Sequence, residues 1–162
     1  MNYQERQKVN DKKYKGIQLI TSIRLPPEDI IKAEGVKYLK QLGYPSDLNE
    51  CLSEILENLH KMKGLRYCTH DMSKHEIFRL EDDESSMIQI SSKGKIIITV
   101  RSPGSFIRIY RMLLKALWLS GYSSDVLGPM RVKIFRIEEY EVKSLEGIKS
   151  LFRHQAMVGV RK

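Results

Sequence analysis

Met87-Ile88-Gln89-Ile90-Ser91-Ser92-Lys93-Gly94-Lys95-Ile96-Ile97-Ile98-Thr99-Val100 is the stretch that decides the fold. Residues 96 to 100 are all β-branched, a composition that packs well on a pleated sheet and poorly in a helix. Residues 87 to 90 form a matching apolar arm, and Lys93-Gly94-Lys95 supplies the turn. The pattern predicts a hairpin over 87–101.

Other strands follow by alternation. In Ile17-Gln18-Leu19-Ile20-Thr21-Ser22-Ile23-Arg24-Leu25, one face carries Ile17, Leu19, Thr21, Ile23 and Leu25. The other carries Gln18, Ile20, Ser22 and Arg24, so this is a strand with one apolar and one mixed face. Residues 76–80 and 131–137 read as further strands. The acidic run Glu81-Asp82-Asp83-Glu84 is expected to be a turn, because four adjacent like charges do not bury.

Helices fill the gaps. Pro26-Pro27-Glu28-Asp29 opens one whose apolar side is Ile30, Ile31, Tyr38, Leu39 and Leu42, with Gly43 and Pro45 as its stop. Ser46 or Asp47 caps the next, with Glu50 at capping-box spacing from Asp47, ahead of the stripe Leu48, Cys51, Leu52, Ile55, Leu56, Leu59 and Met62. Ser102-Pro103-Gly104-Ser105 caps a third helix over 106–120. Its apolar positions are Phe106, Ile107, Tyr110, Leu113, Leu114, Leu117 and Trp118. A short helix is expected over 144–152. The polar, lysine-rich residues 1–15 read as a flexible basic arm, and residues 16–162 as a single α+β domain.

The chain has 162 residues, 41% hydrophobic and 30% charged, which is the composition of a globular domain. Its formal net charge is +8. That excess attracts polyanions and speeds their association. Two cysteines make no disulfide framework, no signal-peptide core opens the chain, and no apolar run suffices for a membrane span. The expectation is an intracellular protein, cytoplasmic or with nucleoid or nucleus, neither secreted nor in a membrane.

Enzyme motifs are missing. There is no G-x-S-x-G, no Walker A and no G-x-G-x-x-G, so no catalytic residue is assigned. Cys68, His70 and His75 have zinc-ligand chemistry, with Cys51, His60 and Asp71 as further polar groups. No C-x-x-C or H-x-x-x-H pair accompanies them, and no zinc or other cofactor is assigned.

Arrangement makes the cations more informative. Arg24, Arg101, Arg131, Lys133 and Arg136 fall on or beside predicted strands. Lys93 and Lys95 flank the hairpin turn. Arg108, Arg111 and Lys115 share one exposed helical stripe. A sheet face with arginines among Gln18, Ser22, Gln89 and Ser91 suits a phosphate backbone.

Residues 17–121 resemble one lobe of the TATA-binding protein family. The likeness rests on the strand at 17–25 and on Ile77-Phe78-Arg79-Leu80. It continues through Met87-Ile88-Gln89-Ile90, Gly94-Lys95-Ile96-Ile97-Ile98-Thr99 and the helix ending at Gly121-Tyr122. Such a lobe implies a curved antiparallel sheet with helices packed on one face. Ile90 stands where that family carries a phenylalanine wedge. The resulting expectation is a non-enzymatic nucleic-acid-binding protein tied to transcription, with DNA preferred over RNA. The alternative is an accessory, protein-binding subunit of a larger replication or transcription complex.

Overall fold

The computed structural model describes residues 16–68, 75–134 and 138–142. Among them, seven strands form one sheet: β1 (Ile17–Ser22), β2 (Leu65–Cys68), β3 (His75–Leu80), β4 (Asp83–Ser91), β5 (Lys95–Val100), β6 (Met130–Ile134) and β7 (Glu138–Val142). Their spatial order is β2-β3-β4-β5-β1-β6-β7, and every neighbouring pair is antiparallel. The sheet is curved and does not close. Four α-helices accompany it: α1 (Glu28–Glu34), α2 (Val36–Gln41), α3 (Leu48–His60) and α4 (Pro103–Leu119). This is the expected α+β class.

Alternation in each strand sends one set of side chains to the helices. Leu19, Phe78, Ile88 and Ile98 are completely buried against Ile55 and Leu59 of α3 and Phe106, Ile109 and Leu113 of α4, in one continuous core. Burying a side chain of this size is worth about 1.5–3 kcal/mol. The long helices pack on each other, α4 across β4 and β5, and α3 beside β2. Among the described residues the side chains that alternate with this core set, such as Gln18, Ile20, Met87, Gln89, Ile97 and Thr99, stay only half-buried, which marks the second face of the sheet as the more open one.

Local chemistry sets the ends of the helices. Asp47 caps α3 by accepting the Glu50 N–H at 3.1 Å. The Glu50 carboxylate does not return to the cap; it accepts from Lys40 Nζ at 3.3 Å. Ser102 caps α4 by accepting the Ser105 N–H at 3.2 Å, and Pro103 opens its first turn.

Several expectations need correction. The helix expected from Pro26 to Leu42 is two short helices broken at Gly35, whose φ is 85°. Most of its supposed apolar side faces solvent, and only Leu39 is buried in either piece. A chain that breaks at Gly35 cannot keep the apolar residues on its two sides in one helical stripe. The acidic run is a turn only at Glu81 and Asp82; Asp83 and Glu84 begin β4. Trp118, assigned to the apolar side of α4, is 74% exposed. β2 and β7 were not expected at all. The arm at 1–15 and the helix at 144–152 lie outside the described residues.

Candidate nucleic-acid interface

The open face is built by strand register. One row runs Arg66, Arg79, Met87, Thr99, Gln18, Lys133 across the sheet, each residue paired with the next. The adjacent row runs Cys68, Ile77, Gln89, Ile97, Ile20, Arg131. The middle of these rows is aliphatic and amide; Arg66 and Arg79 stand toward one side of the first row, and Lys133 and Arg131 stand on β6 at the other side. Ile20, Ile77, Met87 and Ile97 are half-buried, with no helix of the described residues packed on them. Gln18 donates to Thr99 Oγ1 at 3.4 Å, which ties two polar neighbours together across β1 and β5.

A depression of about 220 Å³ opens at one end of this face, lined by Ile20, Thr21, Ser22, Lys93, Lys95, Pro129 and Arg131. Three cations foreseen from sequence converge there from separate elements. Lys93 comes from the β4–β5 turn, Lys95 from the start of β5 and Arg131 from β6. The turn is held in place. Ser91 Oγ accepts the N–H groups of Lys93 at 3.3 Å and Lys95 at 3.0 Å, and the Ile23 N–H donates to Gly94 O at 2.9 Å. Ser91 therefore shapes the turn rather than standing as an uncommitted polar contact.

The remaining predicted cations scatter. Lys133 lies in the same face, half-buried. Arg101 is exposed just past β5, about 20 Å from Lys95 at ~3.4 Å per residue, too far to share a ligand group. Beyond β6, the register sets Glu139 opposite Lys133 and Glu141 opposite Arg131, so acidic positions bound the basic margin at β7. Arg24 lines a different hollow of about 360 Å³ with Leu25, Pro26, Pro27, Ile30 and Tyr44. Arg136 lies outside the described residues.

Arg108, Arg111 and Lys115 are exposed as expected, but they sit on α4, behind the sheet. They do not join the strand cations in one surface. Arg108 is also engaged, gripping both oxygens of Asp82 at 3.1 and 3.2 Å. That bidentate bond holds the Asp82 carboxyl below the usual range.

Matches to known proteins add nothing to this geometry. No family model matches the chain, and neither a curated protein nor a solved structure does so.

Two arginines of the open face went unforeseen. Arg66 Nη2 pairs with Glu84 Oε1 at 2.9 Å, and Arg79 Nη1 donates to the Glu84 carbonyl at 2.7 Å. Arg66 was missed because β2 is only four residues long, too short for an alternation to register. Arg79 was on a foreseen strand, and only the side of the sheet it would face was unknown.

The polar groups offer little else. Cys51 is fully buried in the core, and burial pushes its thiol up to about 12. Cys68 and His75 lie on neighbouring strands, and His70 is outside the described residues. Among the described residues no group of His, Cys, Asp or Glu is arranged to hold a metal ion. No described helix is long and apolar enough to cross a membrane.

Proposed function

We propose that this chain is a non-enzymatic nucleic-acid-binding protein of the cell interior, tied to transcription, that lays its open sheet face on a phosphate backbone, DNA in preference to RNA. The convergence of Lys93, Lys95 and Arg131 on one depression beside Ser22 is the observation that carries this reading. Cations that line one depression attract a phosphate together, and the release of condensed counterions drives the binding. Ile20, Met87 and Ile97 beside Gln18 and Gln89 give the face an apolar and amide middle suited to the sugar edge of a groove. An antiparallel sheet with its helices on one side is also the arrangement that the resemblance to the TATA-binding protein lobe implies. The phenylalanine wedge is not at position 90, so duplex kinking of that kind is not part of the proposal.

The test is fluorescence anisotropy of labelled DNA and RNA across a salt series. Binding should weaken as salt rises, with a slope of about −0.9 per neutralised phosphate on duplex DNA. Substituting Lys93, Lys95 and Arg131 together by Ala should reduce affinity about tenfold or more and flatten that slope by ~3. No binding at low salt, or full binding by the triple variant, would overturn the reading.

A further inference from the structure

The outer side of α4 carries a surface that the sheet face does not use. Arg111, Lys115 and Trp118 stand at i, i+4 and i+7, so they stack along one stripe of the helix. All three are exposed, Trp118 by 74%. Leu119 beside it is half-exposed, as is Leu42 at the end of α2. The two ends are neighbours, since the Ser123 N–H donates to Gly43 O at 2.9 Å just beyond them. An indole left this open is costly in water, and exposed tryptophan and arginine are the side chains that most often anchor protein interfaces.

The charges around the indole discriminate among occupants. Arg111 and Lys115 have no ion-pair partner among the described residues, whereas Arg108, one turn earlier, is neutralised by Asp82. Asp82, bound by Arg108, and Asp83, bound by the Ser105 hydroxyl, form an acidic cluster at that end of the helix. A phosphate chain following the stripe would run from two cations into this acidic cluster. A second copy of the chain would set Arg111 and Lys115 against another strongly basic molecule, of net charge +8. A short acidic segment with an apolar anchor meets neither obstacle.

From these features we infer that the Arg111–Lys115–Trp118 stripe docks an acidic, amphipathic protein segment, whose carboxylates face Arg111 and Lys115 and whose apolar side chain covers Trp118. This surface is independent of the nucleic-acid face, so either can fail alone.

Trp118 is the chain's single tryptophan and therefore reports on its own site. The probe is a synthetic helical peptide with Asp and Glu along one stripe and Leu and Phe along the next, added to the full chain. Its control has every acid replaced by the corresponding amide. The acidic peptide should shift Trp118 emission to the blue and shield it from acrylamide. The R111E/K115E variant, checked for fold by circular dichroism, should bind about tenfold or more weakly. Trp118→Ala should weaken binding of a labelled peptide by a similar factor. The inference is overturned by an unmoved emission spectrum, by an equal response to the amide control, by a shift with an oligonucleotide instead of the peptide, or by a blue shift that grows with protein concentration alone.

Discussion

Asp83 stands at the start of β4 and serves as a local hub. Its carboxylate accepts the Ser85 N–H at 3.2 Å, the hydroxyls of Ser85 and Ser86, and the Ser105 hydroxyl at 3.1 Å. It thereby ties the β3–β4 turn to the first turn of α4. These donors favour the charged form and lower its pKa from 3.8 to about 2. The folded pKa lies below the unfolded one, so the stabilisation is complete above pH 3.8 and is lost as pH falls through about 2. Urea unfolding at stepped pH should show wild type losing stability over that window, with a visibly shallower loss in D83N; equal slopes would refute the role. At neutral pH, Asp83→Ala should cost about 1–3 kcal/mol, because it strands the fully buried Ser86 hydroxyl. The residue types of this hub are plain in the sequence, but the contact to Ser105 is not. It joins positions 22 apart, and no local pattern announces it.

At the scale of elements, the β4–β5 hairpin was legible because its turn and both arms signal locally. Gly94 has φ 85°, a left-handed conformation that a side chain strains, and a Cβ there would lie 3.0 Å from Leu48 Cδ1. Gly94→Ala should therefore lower stability by about 1–2 kcal/mol, measured as a fall in urea midpoint. It should also displace Lys93 and Lys95, weakening nucleic-acid binding beyond what the stability loss explains. An unchanged midpoint would mean that the turn relaxes freely. The helices were legible unequally. α3 has a cap and a regular stripe, and both survive in the structure. The stretch 26–42 has apolar residues at helical spacing, yet the turn at Gly35 splits it and leaves Ile30, Val36, Tyr38 and Leu42 facing water. Spacing predicts which residues share a face, but whether that face meets the core depends on the rest of the fold.

At the scale of the whole molecule, one core joins the sheet to α3 and α4, and its loss should be collective. Phe78 lies in it fully buried, with its ring 5.1 Å from that of His60 and 5.3 Å from that of Tyr67. Phe78→Ala should cost about 3–5 kcal/mol. Far-ultraviolet and near-ultraviolet circular dichroism should then shift together in denaturant, as one cooperative unit requires; separated transitions would argue for two. The same scale decides the candidate interface. Residue type and periodicity marked ten cations, and they could not say that Lys93, Lys95, Arg131 and Lys133 share one face of the sheet while Arg108, Arg111 and Lys115 do not. Composition and periodicity by themselves determined the α+β class, the hairpin, the caps of α3 and α4 and the excess of positive charge, because those follow from interactions a few residues apart. Only the tertiary structure decided that β1 pairs with both β5 and β6, which brings Lys95 and Arg131 to one depression and leaves Arg108, Arg111 and Lys115 behind the sheet. The physical reason is that antiparallel pairing joins residues more than a hundred positions apart in the chain, as Ile20 and Arg131 are, and their meeting depends on the burial of the whole core rather than on anything near either residue.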